Sequence, residues 1–370
     1  MFRGRYFAIK RLAGSAALLL GSTLCSPALD APKPDTHKSA GPADSKAQKT
    51  YATAFEWQKR GDKVSAIETF RKANKQDSGN CLDCLRQAYT LAISIGEYKE
   101  AADIARDWAP LAQTDADRAS VHYRIALALQ QEGLSSKKGK CLDESCDEFK
   151  NALQLEPKFT PAHYSLGLSL AHLHQDDAAR TEFSIFLDQD KENLGMHERA
   201  KRYVERIELA RARMAPPFSV TTIDGQHVTM DSLVGKVVLI DFWATWCGPC
   251  REALPHIRDI AHRFQGQPFV VLSISLDKDA DKWKEFVNKN QMTWLQYRDG
   301  SFDGNVAKIY GVTAIPATFT IDADGVLEDQ HVGDANIEGK LKKLIARAAE
   351  VANRKPALQL VENSDVKANQ

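Results

Sequence analysis

The sequence predicts a multidomain protein in which an α-helical repeat domain is followed by an α/β domain, a central mixed sheet flanked by helices. Three observations carry that reading. The chain has 370 residues, more than one hydrophobic core usually organises. Apolar residues recur at helical spacing up to Met214, and beyond it they gather into continuous β-branched runs. Between the two patterns stands Met214-Ala215-Pro216-Pro217, where consecutive prolines end a helix and force extended geometry.

Composition narrows the classes of function. Lys plus Arg total 49 and Asp plus Glu total 49, so no whole-chain field favours nucleic acid or a strongly charged partner. Arg3, Arg5, Lys10 and Arg11 precede an apolar run from Leu12 to Leu24 and then Ser26-Pro27-Ala28. That order reads as a signal peptide over residues 1–28, cut after Ala28. It implies an exported protein, periplasmic or of the cell envelope. An uncleaved membrane anchor is the alternative, although the run is short for a span of about 20 residues. A lipoprotein at Cys25 is a third, with Ser22-Thr23-Leu24 a poor match to the motif that would precede it. Residues 29–49 are rich in Pro, Ala, Lys, Ser and Asp and read as a flexible linker. Residues 352–370 read as a disordered tail.

Residues 50–213 form the helical domain. Gly61, Ala66, Phe70 and Ala73 are echoed by Gly96, Tyr98, Ala101 and Ala105. Further echoes are Gly133, Phe149, Ala152 and Pro157, then Leu166, Gly167, Leu170, Ala179 and Phe183. Small residues at these places let paired helices approach closely. The spacing of about 34 residues resembles tetratricopeptide repeats, in three or four units, with Leu85, His122 and His163 where a large aromatic is usual. A plain helical bundle is the competing reading. Ser135 to Lys140 is read as a basic insertion that lengthens one turn on the surface. The resemblance implies a groove that binds a protein partner.

In residues 215–351, Lys236 to Trp243 and Pro268 to Leu276 read as strands buried on both faces, with helices at Cys250 to Phe264 and Asp279 to Asn290. Asp322-Ala323-Asp324-Gly325 joins two final strands as an antiparallel hairpin, and a helix from Asn336 to about Val351 closes the unit.

Trp246-Cys247-Gly248-Pro249-Cys250 falls where a buried strand gives way to a helix. The free N–H groups and positive dipole end of that helix stabilise a thiolate at Cys247. Cys247 is therefore the expected nucleophile and Cys250 the resolving thiol, with Pro249 restraining the turn. Asp241 lies near the end of an apolar strand, where a lone carboxylate is costly. It is read as the proton acceptor for Cys250, the competing reading being a carboxylate that simply reaches a polar neighbour. Ile315-Pro316, directly before another buried strand, is expected to be cis and to face the cysteines. Trp246, Gly248, Pro249 and Ile315 are the expected substrate contacts. No second pair of ligands in this domain completes a zinc site, and Arg251 stands where covalent haem attachment needs His. No metal and no cofactor beyond the Cys247–Cys250 disulfide is expected.

Several further residues carry a resemblance. Ala215-Pro216-Pro217-Phe218, Asp224-Gly225, Leu233, Gly235-Lys236-Val237-Val238-Leu239, Glu252, Pro255 and Ile321-Asp322 join the Cys-Gly-Pro-Cys and Ile315-Pro316 motifs. Together they resemble the TlpA/ResA branch of exported thioredoxins. The resemblance implies a thioredoxin fold with an added N-terminal hairpin, a catalytic CxxC pair and a cis-proline beside it. Gly248-Pro249 matches general thioredoxins, and so does Asp241, where many relatives of that branch carry a neutral residue; both point to a general reductant.

Cys81 and Cys84 share the CxxC spacing without a preceding strand or aromatic neighbours, and are read as a structural disulfide or free thiols rather than a second active site. Cys141 and Cys146 are too far apart to bridge within one regular helix and are read as a second candidate disulfide if Cys141 lies in a loop. His163, His172 and His174 are read as packing residues.

The function that follows is thiol–disulfide exchange, most naturally reduction, acting on protein thiol or disulfide substrates with an upstream electron donor or acceptor. The alternatives are a redox-sensing adaptor whose repeats bind partners, and a peroxidase-like antioxidant.

Overall fold

A computed structural model describes residues 41–190, 194–333 and 337–350. The signal segment, most of the linker and the C-terminal tail lie outside the described residues.

The helical domain is a series of helix pairs, each helix packing on the next along the chain. The pairs are α1 (Ser45–Lys59) with α2 (Lys63–Gln76), α3 (Leu82–Ile95) with α4 (Tyr98–Trp108), α5 (Asp115–Ser136) with α6 (Gly139–Leu155), and α7 (Thr160–His172) with α8 (Asp176–Gln189). A ninth helix, α9 (Leu194–Glu205), follows. Ala66, Ala73, Ala88, Ala92, Ala101 and Ala105 are all fully buried, the small residues that let adjacent helices close up. Gly133 and Gly167 show how close: a Cβ at either would come within 2.8 Å of Leu142 or Phe183 respectively. Two aromatic-rich cores result, one around Phe70 and Trp108, the other around Tyr123, Phe149, Tyr164 and Phe183.

Two expectations are corrected here. The linker was to run to residue 49, yet α1 starts at Ser45 because the Asp44 carboxylate caps it by accepting from the Lys46 and Ala47 N–H groups, while Ala47 and Ala54 are buried. The basic insertion makes no long loop. It is absorbed by a 22-residue α5, and only Lys137, in left-handed geometry, and Lys138 separate that helix from α6.

The C-terminal domain opens with a hairpin, β1 (Ser219–Thr221) and β2 (His227–Thr229). Next come β3 (Val237–Trp243), α10 (Gly248–Arg263), β4 (Phe269–Ser275), α11 (Ala280–Lys289), β5 (Leu295–Arg298), α12 (Asn305–Ile309), β6 (Ala317–Ile321) and β7 (Leu327–Val332). A final helix, α13, covers residues 338–350. The sheet order is β5-β4-β3-β6-β7. Strands β3, β4 and β5 run parallel, and β6 pairs antiparallel with both β3 and β7. This is the mixed sheet of a thioredoxin fold, with β3 central and every residue of it buried. Val237 and Leu239 pack with Ile257 and Ile260 of α10 and Leu341 of α13, while Val238, Ile240 and Phe242 join the opposite core. Strand alternation therefore assigns Asp241 to the α10 side.

The proline break extends the sheet instead of hanging free. Met214 bridges Val326, the Leu327 N–H donates to the Arg213 carbonyl (2.7 Å), and the Ala215 N–H donates to the Gly325 carbonyl (2.9 Å). Arginines of α9 and of the turn after it close the junction. Buried Arg199 donates to the Ala215 carbonyl (2.7 Å), Arg202 pairs with Asp231 (3.1 Å), and Arg206 takes Asp324 in a two-pronged ion pair (3.0 and 2.5 Å).

Candidate active site

The site is built where β3 stops. After Trp243 the chain turns through Ala244, Thr245 and Trp246, and Cys247 becomes the N-cap of α10, its Sγ accepting from the Cys250 N–H at 3.2 Å. Cys247 and Cys250 are joined as a disulfide with Cα atoms 5.3 Å apart. Both sulfurs therefore sit over the first turn of a 16-residue helix, whose unpaired N–H groups favour negative charge. Pro249 falls in the first turn, where its missing N–H costs no helical bond. Pro255 lies inside α10.

The turn before the cysteines is anchored from β4. The Asp277 carboxylate accepts from both the Thr245 N–H (2.9 Å) and the Thr245 hydroxyl (2.6 Å), and also from the Ser275 hydroxyl (2.7 Å). Opposite, the Ile315–Pro316 bond is cis, and Cys247 Sγ lies 3.9 Å from the Ile315 carbonyl oxygen. The chain before β6 thus faces the disulfide as the sequence indicated. Trp246 is 59 % exposed and borders a cleft of about 400 Å³ with Phe302, Lys278 and Lys282. Space around the Gly248 Cα is open, while Cys247 and Cys250 are themselves largely buried.

Asp241 is buried, only 7 % exposed. Burial pushes its carboxyl up to about 7, opposed by the hydrogen bond it accepts from the Ser273 hydroxyl at 3.1 Å. Asp241 and Ser273 face one another across the β3–β4 ladder.

Sequence reasoning missed Thr245, Ser273, Asp277 and Trp294. The available signal was the break in the apolar run at Ser273, Ser275 and Asp277, since polar residues in a doubly buried strand need partners. Strand β5, only four residues long, also went unread.

The other cysteines divide. Cys81 caps α3 as Cys247 caps α10, and it is bonded to Cys84. That disulfide is enclosed, at 1 % and 0 % exposure, against Ala73 and Tyr51. Cys141 and Cys146 are unbridged, which corrects their reading as a candidate disulfide. Helix α6 begins at Gly139, so Cys141 is not in a loop, and five residues along one helix separate the two by about 140° around its axis. His163 pairs with Glu182 at 2.6 Å between α7 and α8, and His122 does the same with Glu148 between α5 and α6. Among the described residues no three His, Cys, Asp or Glu side chains are grouped to hold a metal ion.

A thioredoxin sheet with a CxxC disulfide capping its first long helix defines the C-terminal part as a thioredoxin-like thiol–disulfide oxidoreductase domain. Comparison with known proteins agrees. Residues 212–330 match the AhpC/TSA family. The chain is 28 % identical over 145 residues to the thiol-disulfide oxidoreductase ResA of Bacillus thuringiensis, covering 38 % of this chain and 83 % of that protein. It is 29 % identical over 131 residues to the thioredoxin-like protein YneN of Bacillus subtilis, covering 35 % and 75 %. Among solved structures, a thiol-disulfide oxidoreductase from Bacteroides fragilis is 27 % identical, with a TM-score of 0.33, over 35 % of this chain and 98 % of that one. Over its C-terminal part the chain is thus similar to ResA-type thiol-disulfide oxidoreductases.

Proposed function

We propose that the protein is an exported reductant of disulfides in protein substrates, with its helix pairs, read as tetratricopeptide-type repeats, holding a partner. The observation that carries the reading is the position of Cys247: it caps α10, faces the Ile315 carbonyl and lies beside exposed Trp246.

In the reduced enzyme the Cys247 thiolate attacks one sulfur of a substrate disulfide, and the other substrate sulfur leaves as a thiolate that takes a proton from solvent. Cys250 then loses its proton to the Asp241 carboxylate and attacks Cys247 Sγ. The second substrate thiolate departs, and the enzyme keeps the Cys247–Cys250 disulfide. Two electrons have passed to the substrate, and an external dithiol donor must return them. A carboxyl near 7 is matched to accepting a proton at neutral pH and releasing it again.

Gly248-Pro249 between the cysteines and the order of residues 1–28 support reduction and export respectively. The enclosed Cys81–Cys84 disulfide supports a stapling role in the helical domain. The test is to express Cys250→Ser and isolate covalent adducts. A mixed disulfide on Cys247 with specific proteins supports the reading. Failure to trap any disulfide-containing protein, with Cys247 alkylatable throughout, contradicts it.

A further inference from the structure

Asp241 does not stand alone beneath the active-site helix. The Trp294 indole N–H donates to the Ser273 hydroxyl oxygen at 2.9 Å, and the Ser273 hydroxyl reaches the Asp241 carboxylate at 3.1 Å. The direction of this chain is fixed by chemistry. An indole nitrogen only donates, so Ser273 Oγ accepts there, and an ionised carboxylate only accepts, so the single Ser273 hydrogen points at Asp241. Gln296, directly opposite Ser273 on β5, is 1 % exposed, and neither of its amide atoms bonds to another described residue. It therefore does not divert the Ser273 proton.

We propose that Ser273 and Trp294 are positioning residues, which hold the Asp241 carboxylate by a one-way donor chain and set the pH at which it accepts the proton of Cys250. This rests on the reading of Asp241 as that acceptor. Consecutive donors polarise one another, and the last hydrogen bond strengthens as the carboxylate gains charge. Trp294 contributes rigidity as well, since it packs against both cores of the domain and leaves Ser273 one available rotamer for its hydrogen.

The groups that could compete lie on the neighbouring elements. Helix α10 brings Cys250 and β6 brings Thr318, opposite Asp241 in register, whose hydroxyl bonds to no other described residue. Of the charged residues on β7, α10 and α13, His331 and Lys340 pair with Asp329, and His256 and Arg263 with Glu338. Burial and Ser273 are the two causes that act on the Asp241 carboxyl.

The experiment follows the Asp241 carboxyl by infrared difference titration in the full-length oxidised protein, and in parallel the pH dependence of the resolving step in single-turnover reduction of insulin. In Ser273→Ala both midpoints are expected to move up by about one pH unit. In Trp294→Phe, which keeps an aromatic ring in the core, they move the same way by less. Neither substitution should alter the profile once Asp241→Asn is present. If Asp241→Asn removes the kinetic midpoint but Ser273→Ala and Trp294→Phe leave it in place, the donor chain is refuted and the acceptor role stands. If Asp241→Asn leaves the kinetic midpoint unchanged, the acceptor role fails, and this inference with it.

Discussion

Asp277 holds the active-site turn at two atoms of one residue: its carboxylate accepts from both the Thr245 N–H and the Thr245 hydroxyl. Asp277 is itself buried, so the pair fixes the chain two residues before Cys247 from the end of β4. In Asp277→Ala the Thr245 donors lose their acceptor in a part-buried site. The expected loss is about 2–3 kcal/mol of stability by denaturant unfolding, with slower disulfide exchange because Cys247 is held less firmly over the helix. Asp277→Asn keeps an acceptor and should recover a good part of both.

Asp241 makes stability depend on pH. Its carboxyl titrates near 7 in the fold and near 3.9 in the unfolded chain, so the folded state holds the proton more tightly. The contribution is fully present below about pH 4 and is lost as pH rises through 7. Urea unfolding of the oxidised protein at pH 5 and pH 8 should show the wild type losing about 2–3 kcal/mol of stability relative to Asp241→Asn. A constant difference between the two proteins across that range would deny Asp241 its raised value.

The two CxxC disulfides should behave differently although both cap helices. Cys81–Cys84 is sealed by Tyr51 and Ala73 at 1 % and 0 % exposure, whereas Cys247 keeps 6 % exposure and adjoins Trp246, 59 % exposed. Brief reduction of the native protein followed by alkylation should label Cys247 and leave Cys81 and Cys84 intact. The double variant Cys81→Ser, Cys84→Ser should retain insulin reduction while losing about 2 kcal/mol, the order expected for closing so short a loop.

Gly167 lies against the fully buried Phe183 ring between α7 and α8. Gly167→Ala gains helix propensity of about 1 kcal/mol, but the added methyl meets a ring with nowhere to go, and overpacking costs about 1–3 kcal/mol. The net expectation is a lower thermal midpoint for the helical domain, with exchange by the C-terminal domain unaffected.

How far the sequence could be read follows from how local each signal is. β3, β4, α10, α11 and the closing hairpin all emerge within two residues of their expected bounds, because runs such as Val237 to Trp243 carry their period in consecutive residues. Cys247, Cys250, Pro316 and Asp241 were legible because motif spacing, or a charge set in an apolar strand, marks them. The partners of Asp241 were not. Ser273 is 32 residues away and Trp294 a further 21, and only the parallel ladder from β3 to β5 brings them together. Cys141 was misplaced for a similar reason: its position depended on how far α5 and α6 extend, and Ser135 to Lys140 gives no stop signal strong enough to show it. Arg202 and Arg206, which clasp Asp231 and Asp324, have no local signature at all.

Exchange depends on Cys247 being ionised at neutral pH by the N-terminal end of α10. Titration of the reduced protein by thiolate absorbance near 240 nm, read against a Cys247→Ser control, measures this directly. A Cys247 midpoint well below the free-cysteine value of about 8.5 is the expected result. A midpoint at or above that value would contradict it.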